Sequence, residues 1–173
     1  MSWCRSRAAV VLAALVLCGC GYHTAGHSDL LPRDLKTIAV PAFTNITTAY
    51  QLSDAIPEAI AREFITRTRY KVVSDPKEAD AVVHGSINRI ITVPIVFDQV
   101  TGRATGVEMQ VFIQVRLEDR GGKVLYSRDN YIYREQYEIS VNPKQYFDES
   151  PAALRRLSLD AARDIVSSIL ENF

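Results

Sequence analysis

Long stretches in which apolar and polar residues alternate constrain the fold of this chain more than any other feature. Between Ala81 and Phe97 the odd positions carry Val83, Gly85, Ile87, Arg89, Ile91, Val93, Ile95 and Phe97, while His84, Ser86, Asn88 and Thr92 sit on even ones. From 107 to 118 the alternation is nearly perfect, with Val107, Met109, Val111, Ile113, Val115 and Leu117 set against Glu108, Gln110, Gln114, Arg116 and Glu118. Successive strand side chains point to opposite faces, so a period of two over this length predicts half-buried antiparallel strands. Asp119-Arg120-Gly121-Gly122 reads as a hairpin turn. Val124 to about Ile139, bearing Tyr126, Tyr131, Tyr133 and Tyr137, reads as a third long strand.

Shorter elements flank this centre. Thr37-Ile38-Ala39-Val40-Pro41-Ala42-Phe43 predicts one strand buried on both faces, with Pro41 near its end or at an edge. A helix is expected from about Asp54 to Thr68, capped by Ser53 or Asp54, with Pro57 in its first turn. Leu52, Ile56, Ala59, Ile60 and Phe64 follow the 3.6-residue period of its inner stripe. Tyr70-Lys71-Val72-Val73 is a second short strand, closed by Ser74-Asp75-Pro76. Ser150 as N-cap and Pro151 in the first turn open a last helix, running to about Leu170 with Leu154, Leu157, Ala161, Ile165 and Ile169 inward. The order β-α-β-β-β-β-α predicts an α+β two-layer sandwich, two helices packed on one face of a mixed, mostly antiparallel sheet. The other face presents Glu108, Gln110, Phe112, Gln114 and Arg116 beside His84, Ser86 and Asn88, to solvent or to a partner. Strands this long exceed the usual length, and their open edges and the apolar tip Pro94-Ile95-Val96-Phe97 suggest a binding partner.

The N-terminal region is of a different kind. Arg5 and Arg7 precede the apolar run from Ala8 to Leu17, which is too short to span a bilayer as a helix. Leu17-Cys18-Gly19-Cys20 resembles the lipobox of bacterial lipoproteins. That resemblance implies a signal peptide over 1–19 and lipid attachment at Cys20; Leu17 is too bulky for the small-residue position before Cys18. Residues 20–35 then read as a lipidated tether and 36–173 as a single α+β domain. His23 and His27 lie four apart, but Gly26 opposes a helix and no Cys or carboxylate is arranged as a partner, so a linker is expected rather than a metal site. Trp3, Cys4 and Cys18 would leave with the signal, so no disulfide could form within the mature chain. Losing Arg5 and Arg7 from a balance of 20 basic and 20 acidic residues leaves a slight negative excess. That is neither a nucleic-acid footprint nor a polybasic membrane patch, so the membrane is held by acyl chains, each buried CH2 contributing about 0.8 kcal/mol. Asn45-Ile46-Thr47 matches a glycosylation sequon that has no expected role behind such a signal.

Catalysis finds no motif: there is no HExxH, GxSxG or glycine-rich phosphate loop, and no cysteine free to attack. His84 alternates within a strand, and Asp75, Asp148 and Glu149 lie where capping explains them. The expectation is a non-enzyme without metal or cofactor, its only adduct the acyl chains on Cys20.

Cys20-Gly21-Tyr22-His23, Leu31-Pro32 and Lys36-Thr37-Ile38-Ala39-Val40-Pro41 together resemble the lipopolysaccharide-assembly lipoprotein family LptE. So do Ala79-Asp80-Ala81-Val82-Val83-His84-Gly85-Ser86-Ile87 and Val115-Arg116-Leu117-Glu118-Asp119 followed by Gly122-Lys123-Val124-Leu125. The resemblance implies an outer-membrane lipoprotein on the periplasmic side that plugs the LptD-type β-barrel translocon and helps deliver lipopolysaccharide to the outer leaflet. It also implies lipopolysaccharide-binding candidates, Arg103 near the hairpin tip, with Asp98 nearby, and Lys144 before the last helix. Phe97 and Phe112 are the candidates for contact with the barrel. A periplasm-facing lipoprotein that activates a peptidoglycan synthase or pilots a secretin is the alternative, since such proteins share a tether and a compact α+β domain.

Overall fold

The computed structural model describes residues 35–139 and 149–172; Cys20, the tether histidines and Lys144 lie outside them. One sheet is built from β1 (Thr37–Ala39), β2 (Thr44–Asn45), β3 (Lys71–Val73), β4 (Ala81–Phe97), β5 (Ala104–Asp119) and β6 (Val124–Glu138). Its order is β3-β1-β4-β5-β6, with β2 also on β4; β1, β2 and β3 make parallel pairs, and β4, β5 and β6 pair antiparallel. Helices α1 (Leu52–Arg67) and α2 (Ser150–Glu171) lie on one face. This is the expected two-layer α+β sandwich with a mixed, mostly antiparallel sheet. Both inner stripes are buried as the 3.6-residue period requires: Ile56, Ile60 and Phe64 of α1 and Ala161, Ile165 and Ile169 of α2 are fully covered.

The run from Thr37 to Phe43 does not form one strand. Pro41 has no N–H to give a ladder, and the chain leaves the sheet after Ala39 to return as β2. The loop between them seats the Phe43 ring over Gly85, where a Cβ on that glycine would overlap the ring. Phe43 N–H also donates to the Ser53 carbonyl at 2.9 Å. That carbonyl is free because its usual partner four residues on is Pro57, which sits inside α1 rather than in its first turn. A helix-breaking residue thus supplies the acceptor that fastens the β1–β2 link to α1.

Neither helix starts with the expected side-chain cap. α1 begins at Leu52, ahead of Ser53 and Asp54, because the preceding turn supplies carbonyls: Leu52 N–H donates to Ala49, Ser53 N–H to Tyr50, and Ala55 N–H to Gln51. The sequon residues shape that turn, Asn45 Oδ1 accepting from Thr47 N–H (2.8 Å) and from its hydroxyl (2.7 Å). In α2 Ser150 is already helical and Glu149 holds the cap position. Glu149 sends its carboxylate to the Glu138 N–H (3.0 Å) instead, tying the helix start to β6.

The alternation of β4 breaks in its middle. Ile87 lies opposite Ile113, but Arg89, not Asn88, lies opposite Phe112, so Asn88 is an inserted bulge residue. From Arg89 to Pro94 the side chains change face. Ile90, Thr92 and Pro94 take the helix side opposite Val111, Met109 and Val107, and Arg89, Ile91 and Val93 take the open side opposite Phe112, Gln110 and Glu108. The expected single apolar face of odd positions therefore ends at Ile87. Further register shifts fall between Pro94 and Phe97 in β4, and between Ile113 and Val115 where β5 meets β6. Bulges and Pro94 blunt the long edges that the sequence suggested as docking strands.

On the helix side of β6, Tyr131 stacks on Tyr133 with ring centres 5.7 Å apart. Its hydroxyl meets that of Tyr126 at 2.5 Å, and Tyr133 donates to Asp164 of α2 at 2.9 Å. Burial raises both the Tyr131 and Tyr133 phenol pKa values, so the hydroxyls stay protonated and available as donors.

Candidate functional site

Seventeen residues of β4 reach about 55 Å at about 3.3 Å per residue, whereas sixteen residues of α1 reach about 24 Å at about 1.5 Å. The helices therefore cannot cover the whole hairpin, and the far end of β4–β5 projects beyond them. Val93 through Phe97 are exposed, Phe97 by 57% and Val96 by 52%, and Val100 in the turn is 93% exposed.

The turn itself is tightly built. Asp98 N–H donates to the Arg103 carbonyl (2.8 Å) and Gly102 N–H to the Asp98 carbonyl (2.9 Å). Gly102 takes the positive φ of 68° that closes the turn. Asp98 Oδ1 accepts from the Thr101 hydroxyl (2.7 Å) and from the Thr101 and Val100 amides (2.6 and 3.1 Å). The Thr101 hydroxyl, then its amide, holds the Asp98 carboxyl below the ordinary carboxylate range. Asp98 is consumed in shaping the turn, and Arg103 is exposed with no ion pair among the described residues. Phe97 and Arg103 therefore share the hairpin tip.

Phe112 lies elsewhere, in the middle of the open face. The Arg89 guanidinium sits 4.1 Å from its ring centre, a cation–π contact created by the bulge at Asn88. Ile132 lies opposite Phe112 on β6, and Ile91 and Val93 are on the same face of β4. Beside this apolar strip Glu108 accepts from Gln110 (2.8 Å) and Gln136 (3.3 Å) and faces Arg134 at 3.9 Å. The Gln110 bond, then the Gln136 bond, lowers the Glu108 pKa. Toward the other end of the strands the open face is polar: Arg116 Nε lies 3.1 Å and His84 Nε2 3.7 Å from Glu118, and Gln114 donates to Asp129 at 2.7 Å.

Arg89 was not among the site residues expected from sequence. Its signal was present, an arginine at a position of apolar parity directly after Asn88. Among the described residues no group of three or more His, Cys, Asp or Glu side chains is placed to hold a metal ion.

The lipopolysaccharide-assembly family LptE matches residues 35–169, from the start of the described domain almost to the end of α2. The chain belongs to the LptE family. Solved structures similar to this LptE-family domain include a Caulobacter crescentus protein described as a lipoprotein, with 16% identity and TM-score 0.52, covering 75% of this chain and 88% of that one. Lipoprotein B of Nitrosomonas europaea has 18% identity and TM-score 0.52 over 76% of this chain and 80% of its own. The rare lipoprotein B of Shewanella oneidensis has 13% identity and TM-score 0.51 over 79% and 95%. At these identities the likeness is one of fold. No curated protein matches the chain.

Proposed function

We propose that this LptE-family chain is an outer-membrane lipoprotein, held on the periplasmic side by acyl chains on Cys20. In this reading it plugs and supports an LptD-type β-barrel translocon and assists lipopolysaccharide insertion into the outer leaflet. The observation that carries the reading is the family match over 35–169, lipopolysaccharide assembly being the family's role. The two faces of the sandwich support it. The basal part of the helix face is buried beneath α1 and α2, whereas the open face combines a cation-capped aromatic with a carboxylate–amide–guanidinium network. A barrel lumen is polar, so such groups keep hydrogen-bond partners there that a lipid or a dry protein core would deny them. Blunted strand edges favour contact through the open face and the tip over strand addition. Phe112 and Phe97 are the contacts proposed for the barrel, and Arg103 and Lys144 those for the phosphorylated sugars of lipopolysaccharide.

A photo-crosslinker placed at Phe97 or Phe112 in cells should capture a much larger outer-membrane β-barrel protein. Capture of a peptidoglycan synthase or a secretin instead would replace this reading with the alternative.

A further inference from the structure

The β1–β2 link does more than skirt the edge of the sheet. Where it passes β4 it walls a cleft of about 250 Å³ lined by Pro41, Thr44, His84, Ser86, Gln114 and Arg116, among others. That volume lies below the range of pockets that enclose a whole drug-sized ligand, so it suits one small polar group. His84 and Arg116 lie directly opposite each other on β4 and β5, and Ser86 and Gln114 form the next rung on the same face. Two nitrogen-rich side chains thus converge on one cleft from neighbouring strands.

The nearby acid, Glu118, lies against both side chains and competes with a bound anion for them. Glu118 Oε1 lies 3.1 Å from the Nε side of Arg116, and its other oxygen 3.7 Å from His84 Nε2. Glu118 meets the guanidinium at its Nε edge, and Arg116 makes no other ion pair among the described residues. A guanidinium held in this way presents paired N–H donors, the geometry that takes an oxyanion through two parallel bonds. The second carboxylate nearby, Asp129, is engaged by Gln114 at 2.7 Å, and Ser86 donates to Asn88 at 2.6 Å. The Arg116 nitrogens, the His84 ring and the Thr44 hydroxyl supply the donors.

We infer that this cleft binds an oxyanion of the phosphate type, carried by a phosphorylated saccharide or by free phosphate, through Arg116 and His84. The site is remote from the hairpin tip and does not rest on the barrel reading. The full acylated chain in detergent, labelled with nitrogen-15, is titrated at constant ionic strength with inorganic phosphate, glucose 1-phosphate and glucose, and amide shifts are followed. Phosphate and glucose 1-phosphate should give saturable shifts centred on His84, Ser86, Gln114 and Arg116, and glucose none. Tighter binding of glucose 1-phosphate identifies a saccharide source, and equal binding identifies phosphate alone; either sustains the oxyanion site. Arg116→Gln should weaken phosphate by about tenfold or more, the scale of one charge-assisted bond. Glu118→Gln, which removes the competing charge, should tighten it and keeps the test open if Arg116→Gln fails to fold. Shifts that do not saturate, that spread over the surface, or that persist unchanged in Arg116→Gln would overturn the site. So would weaker binding in Glu118→Gln.

Discussion

Near the base of the long strands Ile87, Ile113 and Val115 are fully buried beneath the helices, whereas beyond Asn88 the same β4 strand exposes Val93, Ile95, Val96 and Phe97. The two regions share strands and composition and differ in what covers them. Helices rise about 1.5 Å per residue and strands about 3.3 Å, so a helix of equal residue count leaves half of a strand bare. The basal half is packed into the core beneath the helices. The distal half is a projection whose apolar groups contribute little to the isolated domain and are available to something else. The bulge at Asn88 stands at the boundary, and by turning Ile91 and Val93 to the open face it transfers apolar surface away from the helix side.

The sharpest way to break this comparison is to remove one phenyl ring from each half. Phe64 is fully buried in α1, so Phe64→Ala should cost about 3–5 kcal/mol. Phe97→Ala removes the same group from an exposed site and should change stability by no more than about 0.5 kcal/mol. Chemical denaturation of both variants measures the contrast; a cost above about 2 kcal/mol for Phe97→Ala would mean that the tip packs in the free domain. A smaller loss tests the link that fastens the basal half. Gly85→Ala places a methyl group where the Phe43 ring lies, and displacing that ring should cost about 1–3 kcal/mol. Gly106→Ala is its distal counterpart, its Cβ meeting Val96 at 3.0 Å and Ile95 at 3.9 Å, both side chains exposed. It should cost less than Gly85→Ala in the same measurement, and the reverse order would refute the division.

How far the sequence carries such distinctions depends on the regularity of each element. β5 was legible throughout because no residue interrupts its period of two between Val107 and Leu117. The inner stripes of both helices were legible for the same reason at a period of 3.6. β4 was legible as a strand but not in its facing, because an inserted residue keeps the chain extended while reversing the side chains that follow, here from Arg89 to Pro94. Arg89 was the one visible sign. The split into β1 and β2 and the early start of α1 depended on backbone groups, the Ser53 carbonyl and the Ala49–Gln51 turn, which leave no side-chain pattern. Of the site residues, Phe97 and Arg103 share the tip and Phe112 lies apart on the open face under Arg89. The anchor Cys20 and Lys144 lie outside the described residues.

The smallest expected effect on stability, and the most specific one on binding, belongs to Arg103→Glu combined with Lys144→Glu. The conformation of the tip is fixed by Asp98 through the Thr101 hydroxyl and the amides of Val100 and Thr101, with Gly102 at positive φ. The Arg103 side chain takes no part in that network, so its reversal leaves the turn intact and thermal unfolding of the domain close to wild type. Lipid A phosphates are anionic, and pairing gains strength near a low-dielectric acyl region. A charge-assisted hydrogen bond contributes about 1.5–3 kcal/mol, so losing even one should weaken lipopolysaccharide binding by about tenfold or more. Binding of purified lipopolysaccharide, read beside circular dichroism and capture of the barrel partner, separates the roles. Weakened lipopolysaccharide with the barrel still captured assigns the two cations to ligand and leaves Phe97 and Phe112 to the partner. Unchanged lipopolysaccharide binding would remove both residues from the ligand site and leave the projecting half of the sheet with the partner role alone.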